Sequence, residues 1–171
     1  MTDTPRRGLR NVETRRLGYH SLKARVQFGW TDPYGYLWHG HALSYFEMSR
    51  ADLVRGFGLP AHRLLEEGLA VPMVDVAVEY TAPAYGDDEL EIQSTLLRPA
   101  LPFPYLLFEY RIFRRADGAE VLRGRTRQLL IRRDGRTLIR IPQPVREGLE
   151  RIWAYLDGCP RWTDGDGGES A

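Results

Sequence analysis

The feature that most constrains this chain is one long helix pattern over about residues 41–57, which lies among several strand patterns. Four apolar residues recur at helical spacing and so share one face: Ala42, Phe46, Leu53 and Phe57. Two glycines, Gly56 and Gly58, predict where the helix ends. Because a helix with one apolar face must bury it, this pattern calls for a sheet that covers it.

The strand patterns on both sides of the helix supply that sheet. A strand is predicted from Ala24 to Trp30. Four more follow the helix, with apolar residues alternating over 74–80, 90–96, 105–114 and 120–132. A second amphipathic helix is predicted near the end of the chain. The predicted class is therefore α+β, with an antiparallel sheet of about five strands wrapped around one long helix, plus a C-terminal helix.

Composition limits the partners. The chain has 171 residues, which suits a single domain. Its 24 Lys and Arg residues nearly balance its 23 Asp and Glu residues, so a net charge of +1 gives no field to recruit nucleic acid or an anionic membrane. No apolar run approaches the ~20 residues of a membrane helix, and no secretory signal is apparent. With a single cysteine, Cys159, the chain is expected to be cytoplasmic.

The two ends differ in composition from the body of the chain. Residues 1–22 are polar and basic, and they are expected to be a flexible arm, with phosphate binding as the alternative. Residues 158–171 are rich in Gly and Asp and are expected to be a flexible tail. The folded domain is therefore predicted to span residues 23–157.

The common catalytic signatures are missing from the sequence. It contains no nucleophile-elbow serine motif, no zinc-protease motif, no Walker loop and no dinucleotide fingerprint after a strand. The pair His39 and His41 lacks a third ligand nearby in sequence, so no metal site is predicted.

One segment, residues 28–41, does hold residue types that could take part in catalysis. It leaves a strand, turns through Asp32-Pro-Tyr-Gly35, and delivers His39, Gly40 and His41 to the start of the long helix. Unpaired N–H groups at a helix start can stabilise an oxyanion. If Asp32 faces the same space, it could act as a nucleophile or as a general base for water. The residue pattern alone also allows Asp32 to be a simple turn-capping residue.

Several motifs together resemble one known family. They are Asp32, Gly35, Trp38 and His39, the helical run Phe46-Glu47-Met48-Ser49-Arg50, and the corner from Tyr80 through Pro83 to Gly86-Asp87. This set is similar to the hotdog-fold thioesterases of the 4-hydroxybenzoyl-CoA thioesterase and YbgC-like group. The resemblance runs from Val26 to about Glu91 and so covers much of the predicted domain.

That resemblance implies a function. A single hotdog domain would hydrolyse an acyl-CoA thioester to a carboxylic acid and CoA, with no cofactor, since CoA is part of the substrate. Asp32 would be the catalytic carboxylate, with His39 in support and the backbone of His39, Gly40 and His41 at the oxyanion. Three further residues would contact substrate: Tyr34, Gly35 and Trp38. The resemblance also implies a homodimer or homotetramer with sites at a subunit interface.

Alternatives remain open at this level. The same fold could carry an acyl-carrier-protein thioesterase, a dehydratase that pairs His39 with Glu47, or a non-catalytic acyl-CoA-binding module. Glu47 rivals Asp32 as the catalytic acid, although its spacing from Arg50 equally predicts a buried structural pair. Asp75 is a further acidic candidate.

Three arginines alternate along the last strand pattern and therefore share one face: Arg123, Arg125 and Arg127. They could contact the phosphates of CoA. Alternatively, they belong to a solvated outer sheet face that is balanced by Glu89, Glu91 and Glu109.

Overall fold

A computed structural model describes residues 14–100, 104–138 and 140–163. Its strands are β1 (Thr14–Arg15), β2 (His20–Arg25), β3 (Leu69–Ala70), β4 (Met73–Tyr80), β5 (Glu89–Leu96), β6 (Arg98–Pro99), β7 (Tyr105–Arg114), β8 (Glu120–Leu129) and β9 (Ile131–Arg132). Its α-helices are α1 (Ala42–Gly56), α2 (Ala61–Glu66) and α3 (Gln143–Asp157). Short 3₁₀ turns span Phe28–Trp30 and His39–His41. Within this described part, no helix has the length and apolar character needed to cross a membrane.

Five strands form one antiparallel sheet in the order β2-β5-β7-β8-β4. The two-residue strands pair separately, β1 with β6 and β3 with β9. The sheet strands after α1 lie where the alternation predicted them, except that β8 ends at Leu129. Beyond that residue, Ile131 and Arg132 form β9 and pair with β3 instead. The α+β class is confirmed.

Helix α1 packs against the middle of the sheet. Phe46 stacks on Tyr110 of β7 with ring centroids 4.3 Å apart, and its ring also lies over Gly124 of β8. A Cβ atom on Gly124 would sit 2.6 Å from the Phe46 ring and 2.6 Å from the Ala77 carbonyl oxygen. A glycine at this position therefore lets the helix approach the strand closely.

Helix α3 packs against β5 and against the chain that follows α1. Gly148 faces Leu59, Tyr155 lies 5.2 Å from Phe57 between ring centroids, and Arg151 donates to the Phe57 carbonyl. The apolar side of α3 is buried, which confirms the amphipathic helix predicted near the end of the chain. This helix covers the end of α1 and not the outer face of the sheet.

The prediction of a strand from Ala24 to Trp30 is wrong about where the strand lies. The observed strand, β2, pairs with β5 from His20 to Arg25. Since β5 begins at Glu89, opposite Arg25, the chain has no partner strand beyond that point, and residues 28–30 form a 3₁₀ turn. The alternation fails here as well, because Phe28 is 91% exposed.

The folded part reaches beyond the expected boundaries. Residues 20–22 belong to the sheet, and Leu17 is only 3% exposed, so the described part of the expected arm packs against the domain. At the other end, the Trp162 ring stacks on Tyr19 and its Nε1 donates to Gln93 Oε1 at 2.7 Å. The described chain is therefore folded from residue 14 to residue 163. Residues 1–13 and 164–171 lie outside the described residues.

The close approach at Gly124 gives a direct test of the helix–sheet packing. Gly124→Ala is expected to lower the free energy of unfolding by about 1–3 kcal/mol, because the new methyl group overpacks the contact with Phe46. Gly56→Ala serves as the control, since a Cβ atom there meets nothing within 4 Å, and it should be neutral or slightly stabilising. Urea denaturation measures both. Equal stability of the two variants would contradict the packing described.

Candidate active site

The segment before α1 is a tight turn with its own hydrogen bonds. The amide of Asp32 donates to the Tyr36 carbonyl at 2.7 Å, and the amide of Gly35 donates back to the Asp32 carbonyl at 3.0 Å. Gly35 has a φ of +84°, a region that glycine adopts at little cost. The turn closes through a bridge between Thr31 and Leu37. These bonds fix where the Asp32 side chain begins.

The Asp32 carboxylate uses only one of its oxygens to hold this turn. Oδ1 accepts the backbone N–H of Tyr34 at 2.8 Å and that of Tyr36 at 3.1 Å. The side chain is half-buried, and Oδ2 has no hydrogen-bond partner among the described residues. The turn-capping role and an available carboxylate oxygen therefore coexist in one residue.

The helix start presents two available amides and not the predicted three. The amide of His41 donates to the Trp38 carbonyl at 2.9 Å, and the amide of Ala42 donates to the His39 carbonyl. The amides of His39 and Gly40 precede the first of these bonds and have no acceptor within the turn. The expected oxyanion set is thus corrected to His39 and Gly40, since the His41 amide is already used.

A stack of aromatic rings fixes this helix start. Trp30 lies parallel to the His41 ring with centroids 4.5 Å apart, and Tyr45 meets Trp30 edge-on at 5.3 Å. The Trp38 amide donates to the Trp30 carbonyl at 2.8 Å. Burial raises the pKa of Tyr45 to about 12, so its hydroxyl keeps the proton that it donates to the Arg25 carbonyl. The imidazole of His41 is therefore part of the framework.

The side chain of His39 is exposed, and its ring lies 5.1 Å from that of Trp38. Its carbonyl oxygen accepts the Tyr80 hydroxyl at 3.0 Å. Burial raises the pKa of Tyr80 above its ordinary value, which keeps this donor protonated. The bond ties the helix start to the edge strand β4. Tyr80 is a positioning contact whose role the sequence did not reveal, although it belongs to the corner motif.

The turn is surrounded by exposed aromatic rings. Their exposed fractions are 91% for Phe28, 82% for Tyr34, 42% for Tyr36, 45% for Trp38 and 44% for Tyr85. Exposed apolar residues that lie together can form a surface that binds a ligand or a partner. Tyr34 and Trp38 were predicted as substrate contacts. Tyr36 and Tyr85 were missed, and they meet because the 80–87 corner pairs with the turn through them.

Glu47 and Arg50 form the ion pair that their spacing predicted. The pair is not fully buried, because the Glu47 side chain is 44% exposed and that of Arg50 is 21% exposed. The expectation of a buried pair is therefore wrong for Glu47. Its Oε2 is engaged by the Arg50 guanidinium, whereas the Asp32 carboxylate accepts only backbone amides and pairs with no cation among the described residues.

The arginines of β8 share the outer sheet face, as predicted. Arg123 pairs with Glu79 at 3.0 Å and Arg127 lies 3.9 Å from Asp75, so their partners are on the neighbouring strand β4. Arg125 forms no ion pair within the described residues. Among these residues, no three His, Cys, Asp or Glu side chains are grouped so that they could hold a metal ion.

The pairing of Glu47 with Arg50 predicts a weak coupling. A double-mutant cycle with Glu47→Gln and Arg50→Gln is expected to give an interaction energy of about 1 kcal/mol or less, because water reaches the Glu47 carboxylate and screens the pair. Urea denaturation of the four proteins measures it. A coupling of ~3 kcal/mol or more would indicate a buried structural pair and contradict this description.

Solved structures place this fold in a known class. A hypothetical protein from Aquifex aeolicus superposes with a TM-score of 0.67 at 28% identity, covering 76% of this chain and 98% of that chain. The 1,4-dihydroxy-2-naphthoyl-CoA thioesterase from Synechocystis superposes with a TM-score of 0.69 at 20% identity, covering 77% of this chain and 96% of that chain. The sheet wrapped around α1 is a hotdog fold.

The sequence comparison gives the family. The model of the Thioesterase-like superfamily matches residues 26–149. The acyl-CoA thioester hydrolase YbgC of Escherichia coli O6:H1 is 33% identical over 72 residues, which make up 42% of this chain and 54% of that protein. This chain belongs to the Thioesterase-like superfamily, and it is a thioester hydrolase.

Proposed function

We propose that this protein hydrolyses an acyl-CoA thioester to a carboxylic acid and CoA at the Asp32 turn. The observation that carries the proposal is that one short segment holds both the half-engaged carboxylate of Asp32 and, at the start of the helix that follows, two amides without an acceptor in the turn. The family of thioester hydrolases and the name of the YbgC relative support the choice of substrate class.

The chemistry follows from these groups. The amides of His39 and Gly40 donate to the thioester carbonyl oxygen and stabilise the negative charge that develops on it. Asp32 Oδ2 either attacks the carbonyl carbon or removes a proton from an attacking water. In the first route the C–S bond breaks, CoA leaves as a thiolate that takes a proton, and water then hydrolyses the mixed anhydride. In the second route, water adds directly and the same two products form.

We propose that the substrate contacts three other residues, Tyr34, Gly35 and Trp38. The exposed side chain of His39 is proposed to support the reaction. Phosphate contact by the β8 arginines has less support, because Arg123 and Arg127 are already paired with acids of β4. A dehydratase that uses His39 with Glu47 also has little support, since Glu47 is paired with Arg50.

The variant Asp32→Asn tests the proposal. It is expected to lower kcat by at least ~100-fold, because it removes the catalytic carboxylate. The fold should survive, since the asparagine side-chain oxygen can still accept the two amides that hold the turn. Thiol release from a panel of acyl-CoAs measures the rate.

A matched control is Asp134→Asn. Asp134 also holds a turn through its Oδ1, which accepts the Arg136 amide at 3.0 Å, but it lies on a different loop. Its substitution should leave kcat unchanged. Near-normal turnover by Asp32→Asn would reject Asp32 as the catalytic carboxylate. A wild-type protein that releases no thiol from any acyl-CoA would reject the proposed substrate class.

We further propose that the protein works as a homodimer or homotetramer, with β4 at a subunit interface. Strand β4 is the sheet edge beside β8, and it is largely exposed on both faces. Its exposed apolar residues are Met73, Val74, Val76 and Tyr80. Such an edge is an opportunity for pairing between chains. Because Tyr80 also contacts the His39 carbonyl, the Asp32 site would lie at the subunit boundary.

The variant Val76→Lys tests this assembly. A charge on the exposed edge strand should block pairing and yield a monomer in sedimentation velocity at micromolar concentration. Thiol release should be lost together with the assembly. Ser21→Lys places the same charge on β2, the opposite edge of the sheet, and should leave both unchanged. A wild-type monomer that hydrolyses acyl-CoA would overturn the claim.

A further inference from the structure

A cavity of about 520 Å³ lies between the second half of α1, helix α2, the sheet and α3. This volume is typical of a site for a small molecule. The segment 28–47, which carries the proposed active site, contributes no residue to the wall of the cavity. The cavity is therefore a separate feature of the fold, which the proposed function leaves unused.

The wall of the cavity is apolar where it is buried. Its buried apolar members include Leu59, Leu96, Phe108, Leu130 and Leu149. Two polar residues of the wall add little to this part, because Gln128 is only 1% exposed and Arg50 is paired with Glu47. Hydrocarbon that enters here exchanges water for apolar contacts, which is favourable. The buried part of the cavity therefore suits an aliphatic chain.

The wall is basic where it meets solvent. Arg55, in the last turn of α1, and His62, in α2, are exposed members of the wall. Neither side chain makes a hydrogen bond or an ion pair within the described part of the protein. Among the described residues, no Asp or Glu belongs to the wall. The opening therefore offers a guanidinium without a counter-ion above an apolar interior.

We propose that this cavity binds a free fatty acid, with the aliphatic tail in the buried part and the carboxylate on Arg55 at the opening. A fatty acid is ionised at neutral pH, and a guanidinium binds a carboxylate through two parallel hydrogen bonds. A ring N–H of His62 can donate a further bond to the same group. The inference goes beyond the proposed function, because it assigns a second site that takes the class of product released at the first.

Calorimetric titration of the whole protein with decanoate and with decan-1-ol tests the site. The two probes have the same tail and differ in the charge of the head group. Wild type is expected to bind decanoate saturably, and at least ~10-fold more tightly than the alcohol, because hydrogen bonds to a charged group are the stronger ones.

The variant Arg55→Gln should bring the two affinities close to each other. Arg63→Gln is the matched control, since Arg63 is an exposed arginine of α2 that does not belong to the wall, and it should keep the wild-type difference. Arg55→Lys retains a cation and should keep the preference for decanoate. All three substitutions are at exposed positions, so Tm should stay at the wild-type value.

Three results would overturn the inference. Equal affinity of wild type for acid and alcohol would assign the cavity to an uncharged chain. Absence of saturable decanoate binding would indicate that another part of the assembly, such as a second copy of this chain, covers the cavity. Unchanged decanoate affinity in Arg55→Gln would place the carboxylate elsewhere. The titration involves no turnover, so its result is independent of thiol release from acyl-CoA.

Discussion

The contact between Phe46 and Gly124 is the constraint on which the rest of the structure depends. Because β8 has no side chain at this position, the ring of Phe46 lies directly on the strand and against Tyr110. Helix α1 is thereby held close to the sheet, and the position of its first turn follows. The stacked rings of Trp30 and His41 then fix that turn, so that the amides of His39 and Gly40 follow directly on the segment that Asp32 holds.

Much of this arrangement could be predicted from the sequence, because it is encoded by local patterns. Alternation located the strands after α1, and helical spacing located α1 and its apolar face. The Asp-Pro-Tyr-Gly turn before a helix start indicated a site at Asp32. The structure adds that Asp32 both holds the turn and keeps one oxygen free, two roles that sequence reasoning had treated as alternatives.

The remainder depends on contacts between residues far apart in sequence, which local patterns do not encode. Nothing near Trp162 indicates that its ring reaches Tyr19 and Gln93, so a folded segment resembled a flexible tail. The end of β2 is set by where β5 begins. The bond from Tyr80 to the His39 carbonyl likewise arises only when a distant strand meets the start of α1.

The central claim is that Asp32 and the first amides of the helix act together on one thioester. A crystal structure of the Asp32→Asn protein soaked with an acyl-CoA tests this most directly, because the variant should retain intact substrate. The account predicts the thioester carbonyl oxygen within hydrogen-bond distance of the His39 and Gly40 amides, with residue 32 beside the carbonyl carbon. A thioester bound next to Glu47, or away from the start of α1, would contradict it.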